Sequence, residues 1–540
     1  MEFLKSSSLT KRRRRPAVAI AAALMLLLTA CGGSDSAGSD SAGSDSETIS
    51  ESASGGDLMV GLGALPPTLS PFITQPTPPR SFTVNSMYSF LTKLDSFAPG
   101  APVLPSMATE WNQDTDTEWT FMLQPGLAFP NGEPLDAAAV KFAVDYVLDP
   151  ANESGIASAM GPVSSATVVD ETTVKFGLSA PEFDLPRYLT ILPLVPPVDF
   201  AARGDDAFFS DPVAGGIWKV RSYTAGEELV LEANPGSLVG EPMLDSVTFQ
   251  VIVEDAARVS ALRSGAVDVI TKVPTDQVPA LESADFQVVS INEARMYHGD
   301  LYKSEGPLND VRVRQALNYA LDTQSLVDNV MSGFGLDEQG QLSPNTVSGS
   351  CPTSTAYPYD LAKANELMSE AGMTGLDLTI GSSQGFLIND SLLAQAIAAQ
   401  LEQLDAVNSV TVEVMEFSNY LDVFYSKAEA QDMFMWGMSS APGLDMTRNL
   451  GRFTTDRSDR NPAGYENPEY NALYEQLIAT PPSDPAREDL ACQLSEIVKD
   501  DALVLFGLYT PDIWALSPDV RNLQVDPNGN PAWLEVSVER

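Results

Sequence analysis

From residue 58 onward the chain alternates short apolar runs with stretches whose apolar residues recur every three or four positions, the pattern of an α/β fold. Leu58–Leu62 reads as a strand ending at Gly63, followed by the proline-rich loop Leu65–Phe72. Between Glu118 and Leu123 the alternation of Trp119, Phe121 and Leu123 predicts a half-buried strand, and Pro130-Asn131-Gly132 predicts the turn after it. Asp136 is placed to cap a helix whose Val140, Val144 and Val147 share a face, and Asp149-Pro150 stops it. A second helix begins at Val311 behind Asp310, with Val313, Ala316, Leu317, Ala320 and Leu321 at helical spacing. A third begins at Leu361 behind Asp360, carries Ala364, Leu367, Met368 and Ala371 inward, and closes at Gly372. These are core faces, and none has the pattern of a cofactor box.

The first thirty residues follow a different rule. Lys5 and Lys11 to Arg15 precede an apolar run from Pro16 to Leu28, shorter than the roughly 17–25 apolar residues of a membrane span, so the segment reads as an export signal. Residues 31–57 are a Gly/Ser/Asp-rich tether that cannot build a core. About 25 residues of such coil reach roughly 25–30 Å. Removing residues 1–30 leaves 25 basic and 72 acidic side chains, moving the net charge from -42 to -47. That acid excess argues against a nucleic-acid partner, which is held by clustered Lys and Arg. At 540 residues, 44% hydrophobic, the chain exceeds what one core of about 250–300 residues fills, so two or more lobes are expected.

Candidate chemistry is sparse. Gly381-Ser382-Ser383-Gln384-Gly385 fits G-x-S-x-G after the apolar run Leu376–Ile380, the context of a hydrolase nucleophile elbow. In that arrangement the histidine follows the serine, whereas the sole histidine, His298, precedes Ser383, so a secreted serine hydrolase is the weaker alternative. One histidine also excludes His-rich zinc sites, and beside Tyr297 and Asp300 it reads as structural. Asp114, Asp116 and Glu118 have the alternate spacing of a calcium loop, but the twelfth position is Pro125, so they read as a solvated turn. No metal or cofactor is expected.

Leu28-Thr29-Ala30-Cys31 resembles the lipobox of bacterial lipoproteins, which implies cleavage before Cys31, a lipid on its sulfur and a protein held on the extracytoplasmic face of the cell membrane. That leaves Cys351 and Cys492, an even pair in an exported chain that reads as a disulfide, with two separate buried thiols as the alternative.

Five blocks carry a second resemblance: Trp111–Pro150, Ala214–Asn234, Leu244–Val269, Pro307–Asp322 and Tyr357–Gly372. In this order they resemble the peptide-type (family 5) extracellular solute-binding lipoproteins of ABC importers, similar to oligopeptide- and dipeptide-binding members. The resemblance implies a periplasmic-binding-protein-like (type II) α/β fold: two lobes, a hinge, and an extra domain inserted in the first lobe. Lobe I would comprise 58–95, 211–302 and 509–540, the inserted domain 96–210 and lobe II 303–508, with the hinge near Met296–Tyr302 and Leu503–Tyr509. The function implied is capture of a peptide or other small solute, as a monomer, for delivery to a separate ABC permease. A ligand sensor that signals without transport is the alternative.

In peptide-binding members a tryptophan followed three residues later by aspartate lines the pocket, and the aspartate pairs with the peptide ammonium. Here Trp436 matches, Met438 lies between, and the aspartate position is Ser439. Asp445 is close enough in sequence to substitute. Tyr88 matches an aromatic of the family near the cleft, but the charged residue after it is Ser89. Both departures imply a more neutral pocket.

Overall fold

A computed structural model describes residues 55–72, 82–98, 100–301, 306–337, 340–345, 347–416, 419–420, 423–424, 431–440, 443–455 and 465–540. The export signal, Cys31, nearly all of the tether and Tyr302 lie outside these residues. The strands Asp57–Leu62 and Glu118–Leu123 stand where their alternation places them. Asp136, Asp310 and Asp360 each accept backbone N–H groups at the start of helices Ala137–Leu148, Val311–Tyr319 and Leu361–Glu370. The middle helix is shorter than its apolar spacing predicts. Ala320 and Leu321 are buried just past its end, because Asp322 opens a new helix, Thr323–Asn329, by accepting from the Ser325 N–H.

One ten-stranded sheet carries the architecture. Its order is Trp218–Thr224, Glu228–Ala233, Ser246–Val251, Asp57–Leu62, Val269–Ile270, Val504–Leu516, Gln287–Leu301, Met433–Ser439, Leu376–Gln384 and Val407–Glu416. On one side Asp57–Leu62 runs parallel to both its neighbours, and on the other Leu376–Gln384 does the same. Parallel strands need a crossover: helix Asp255–Arg263 links Ser246–Val251 to Val269–Ile270, which flank Asp57–Leu62, and helix Asp390–Leu401 links Leu376–Gln384 to its neighbour Val407–Glu416. Between these groups two long antiparallel strands, Gln287–Leu301 and Val504–Leu516, join the halves. Every residue of Val504–Leu516 is buried, so it shows no alternation in sequence.

The ladder between these two long strands breaks twice, between Asn292 and Met296 and again between Tyr297 and His298. At the second break Gly507 has no opposing residue. A Cβ there would lie 2.1 Å from the Tyr297 carbonyl oxygen, so only glycine fits. Pro511, which has no N–H to give a ladder, pairs with Asn292 at the edge of the first break.

A separate antiparallel sheet, Ala108–Thr115, Glu118–Leu123, Thr173–Leu178 and Val163–Val168, turns Phe121, Val174 and Phe176 inward, in the same core as Val140, Val144 and Val147 of the helix. That core is continuous with Leu58, Phe249 and Trp514 of the large sheet. A second core covers the parallel strands around Leu376–Gln384, and a third packs Met296, Met438 and Tyr509 against Leu494 and Val498 of helix Ala486–Asp500.

Candidate binding site

Met433–Ser439 pairs with the long strand rung by rung: Trp436 opposite His298, Met438 opposite Met296, and Ser439 opposite Arg295. Side chains alternate along a strand. Trp436 and Met438 therefore share a face with His298 and Asp300, while Ser439 falls on the other face with Arg295. Trp436 is half-buried and stacks on Phe424 and Phe386 with ring centroids 5.0 and 5.2 Å away. Tyr420 lies parallel to it at 5.9 Å and donates its hydroxyl to the Met435 carbonyl at 2.7 Å. Arg295 sits 5.4 Å from the centre of the Phe386 ring and donates to the Gly437 carbonyl at 3.2 Å. Gly437 makes room for this: a Cβ would come within 3.0 Å of the Arg295 side chain. The result is a panel of stacked rings, with the Arg295 guanidinium set against Phe386 at one end. On the Ser439 rung the charged group is a cation.

His298 and Asp300 are fully buried. The His298 ring nitrogens approach the Met296 carbonyl at 3.2 Å and the Asp300 carboxylate at 3.0 Å, and Arg452 reaches the same carboxylate. Burial opposes ionisation of Asp300, but Arg452 and His298 outweigh it and hold the carboxyl below its ordinary range. His298 is thus bound into a structural cluster next to Trp436.

Asp445 is placed elsewhere, at a small cavity between helix Leu185–Tyr188 and residues 443–448. Its Oδ1 accepts from the Thr447 N–H at 2.7 Å. The backbone on either side is pinned, as Ser348 N–H donates to Leu444 O at 3.1 Å and Met446 N–H to Ser348 O at 2.9 Å. Three residues further on, Cys351 is bonded to Cys492 of helix Ala486–Asp500, with Cα atoms 4.8 Å apart. Arg187 faces Asp445 from the other wall and bonds Asp184 at 2.7 Å, Ala101 O at 3.0 Å and Gly443 O at 2.6 Å. Behind it Glu182 is 3% exposed, and burial, aided by the charges of Asp184 and Asp445 against that of Arg487, pushes its carboxyl up to about 7. Burial raises Asp184 as well.

The remaining candidates stand apart from both neighbourhoods. Tyr88 is 2% exposed in the first core and donates its hydroxyl to Leu69 O at 2.9 Å; Ser89 is buried beside it. Ser383 lies within the strand Leu376–Gln384, not on a sharp turn after it. It is buried and donates to Asp390 at 3.0 Å, and the same carboxylate collects the N–H groups of Gly385, Phe386 and Leu387. The G-x-S-x-G match is therefore a strand end and its following loop tied to the first residue of helix Asp390–Leu401, with its serine buried. Asp114 accepts from the Thr120 hydroxyl and the Asn112 amide, which together hold its carboxyl below the ordinary range. Among the described residues no group of side chains has the makings of a metal site.

Sequence reasoning missed Arg295, Phe386, Tyr420 and Phe424 around Trp436, and Glu182, Asp184 and Arg187 around Asp445. No local spacing marks them, since each set comes together from separate segments of the chain.

Comparison with known proteins places this geometry. A model of "Bacterial extracellular solute-binding proteins, family 5 Middle" matches residues 102–459. The Escherichia coli K12 protein described as probable D,D-dipeptide-binding periplasmic protein DdpA is 27% identical over 492 residues, 87% of this chain and 92% of that one. A glutathione-binding protein, GsiB of Pectobacterium atrosepticum, is 26% identical over 361 residues, 66% of this chain and 69% of its own. Among solved structures, the Helicobacter pylori periplasmic binding protein DppA in complex with the peptide STSA superposes with a TM-score of 0.77 at 21% identity, covering 90% of this chain and 98% of that one. The fold is that of a type II periplasmic binding protein. The chain belongs to the bacterial extracellular solute-binding proteins of family 5, extracytoplasmic receptors that deliver peptides or other solutes to ABC importers without transforming them.

Proposed function

We propose that this protein is a monomeric receptor anchored by a lipid on Cys31, which holds a peptide-like or other small solute against the Trp436 panel and relies on no anion at Ser439. In this reading lobe I (58–95, 211–302, 509–540) and lobe II (303–508) close about the two long strands at their ladder breaks, with 96–210 as the inserted domain. The observation that carries it is the pairing of Trp436 with His298, one residue beyond the second break, so a solute on the panel sits beside the place where the strands can bend. The uncharged Ser439 opposite Arg295 supports a solute whose amine, if it has one, is held elsewhere. The dipeptide and glutathione named for its relatives support a peptide-like cargo.

The test is to release and identify the solute by mass spectrometry of denatured protein, then measure its affinity for variants. Trp436→Ala is expected to weaken binding at least about tenfold, some 1.4 kcal/mol, and Ser439→Ala less than about twofold. Loss of binding on Ser439→Ala with Trp436→Ala unaffected would reverse the assignment. Cys31→Ser should move the protein from the membrane fraction to the soluble one.

A further inference from the structure

The strand register brings two strand ends together at the first ladder break. Val269–Ile270 pairs with Leu516 and Ala515, on the rungs of Gln287 and Val288, and the chain runs on to Val273, whose N–H donates to Ile513 O opposite Ser290. From the other side Ile380 pairs with Met433 on the rung of Leu301, and Leu376–Gln384 runs from there toward Gly437 and Tyr297. The carboxyl ends of these two strands therefore approach each other across the break between Asn292 and Met296, and carboxyl ends are where open α/β sheets hold their ligands. Lys272, two residues past the first end, donates Nζ to Phe386 O at 2.8 Å and to Gly385 O at 3.3 Å in the loop past the second. Asn389 Nδ2 donates in the opposite direction, to the Thr275 hydroxyl at 3.2 Å. Both sides are held from behind. Arg258, 3% exposed, donates to Lys272 O at 3.4 Å and to Ile252 O and Val253 O at 2.8 Å each, while Asp390 takes the N–H groups of Gly385, Phe386 and Leu387. Lys272 keeps φ at +53°, a left-handed backbone that a lysine retains only where its surroundings fix it. The Phe386 ring stacks on Trp436.

We infer that Lys272 and Thr275 on one side and residues 385–389 on the other form a clasp that holds the closed arrangement of the two lobes, with Lys272 a positioning residue for Phe386 and, through it, for the Trp436 panel. The inference rests on the reading of 211–302 as part of lobe I and 303–508 as lobe II, and it adds what fastens them at the panel. The bonds of the clasp form only when the lobes meet. They therefore shift the balance between open and closed protein whatever solute is bound, and their loss lowers affinity for every solute by the same factor. An ammonium shared between two carbonyls contributes about tenfold to that balance.

Lys272→Met keeps the apolar stem and removes the ammonium, Lys272→Arg keeps a donor, and Thr275→Val removes the acceptor of the second bond at nearly the same volume. In hydrogen exchange of the protein without added solute, the amides of 385–387 should exchange about tenfold faster in Lys272→Met and within about twofold of wild type in Lys272→Arg. Small-angle scattering of the Lys272→Met/Thr275→Val protein should give a radius of gyration larger by about 1 Å, on the roughly 24 Å of a compact chain this size. Unchanged exchange in Lys272→Met overturns the proposal, as does equally fast exchange in Lys272→Arg. Faster exchange at an unchanged radius in the double variant also overturns it, by making the contact a local one. An unchanged radius together with weaker binding of the released solute to Trp436→Ala would sink the clasp and leave the panel standing; a larger radius with that binding unimpaired would uphold the clasp and overturn the panel.

Discussion

Glu182 offers a measurable consequence of burying a carboxyl. Its side chain is 3% exposed, and its carboxyl is pushed from 4.5 to about 7 by burial first and by Asp184 and Asp445 second. Between those two values the folded protein holds a proton that the unfolded chain has released, so unfolding becomes easier as pH rises through the window. At about 1.36 kcal/mol per pH unit, the shift amounts to roughly 3 kcal/mol of stability present below pH 4.5 and lost by the time pH has passed 7. Glu182→Gln removes the titration while keeping an oxygen to accept from the Asp184 N–H, a bond of 2.8 Å. Urea unfolding of wild type and variant at pH 4.5 and pH 8 should therefore show near-equal stability in acid and a variant more stable by about 3 kcal/mol in base. A variant that gains nothing between the two pH values would refute the assignment of a buried, ionising carboxyl to this position.

Two other outcomes are expected. Reducing the Cys351–Cys492 bond, which closes a loop spanning 141 positions, should lower stability by about 5 kcal/mol in urea unfolding with and without reductant, and thiol counting before reduction should find neither cysteine reactive. Gly507→Ala drives a Cβ to 2.1 Å from Tyr297 O and should cost about 1–3 kcal/mol or more in thermal unfolding; an unchanged melting temperature would remove the steric account of that ladder break.

Local rules carried the single elements. Asp136, Asp310 and Asp360 cap because each is followed by free N–H groups of a first helical turn, and that geometry depends only on neighbours in sequence. The strand Glu118–Leu123 was legible because one face is buried and the other is not. Val504–Leu516 was not, because burial on both faces erases the alternation. The G-x-S-x-G match shows the converse, a local signal without its context: Ser383 is inside a strand and committed to Asp390.

The sequence by itself determined the elements, the receptor class through its ordered blocks, the even cysteine pair and the loss of a carboxylate at Ser439. Tertiary structure alone decided which side chains meet. Trp436 gains Phe386, Tyr420 and Phe424, and Asp445 gains Arg187 from more than 250 residues away. The physical reason is that a binding wall is made by strand register and by packing between distant segments, and neither leaves a periodicity in the chain that local reading could detect.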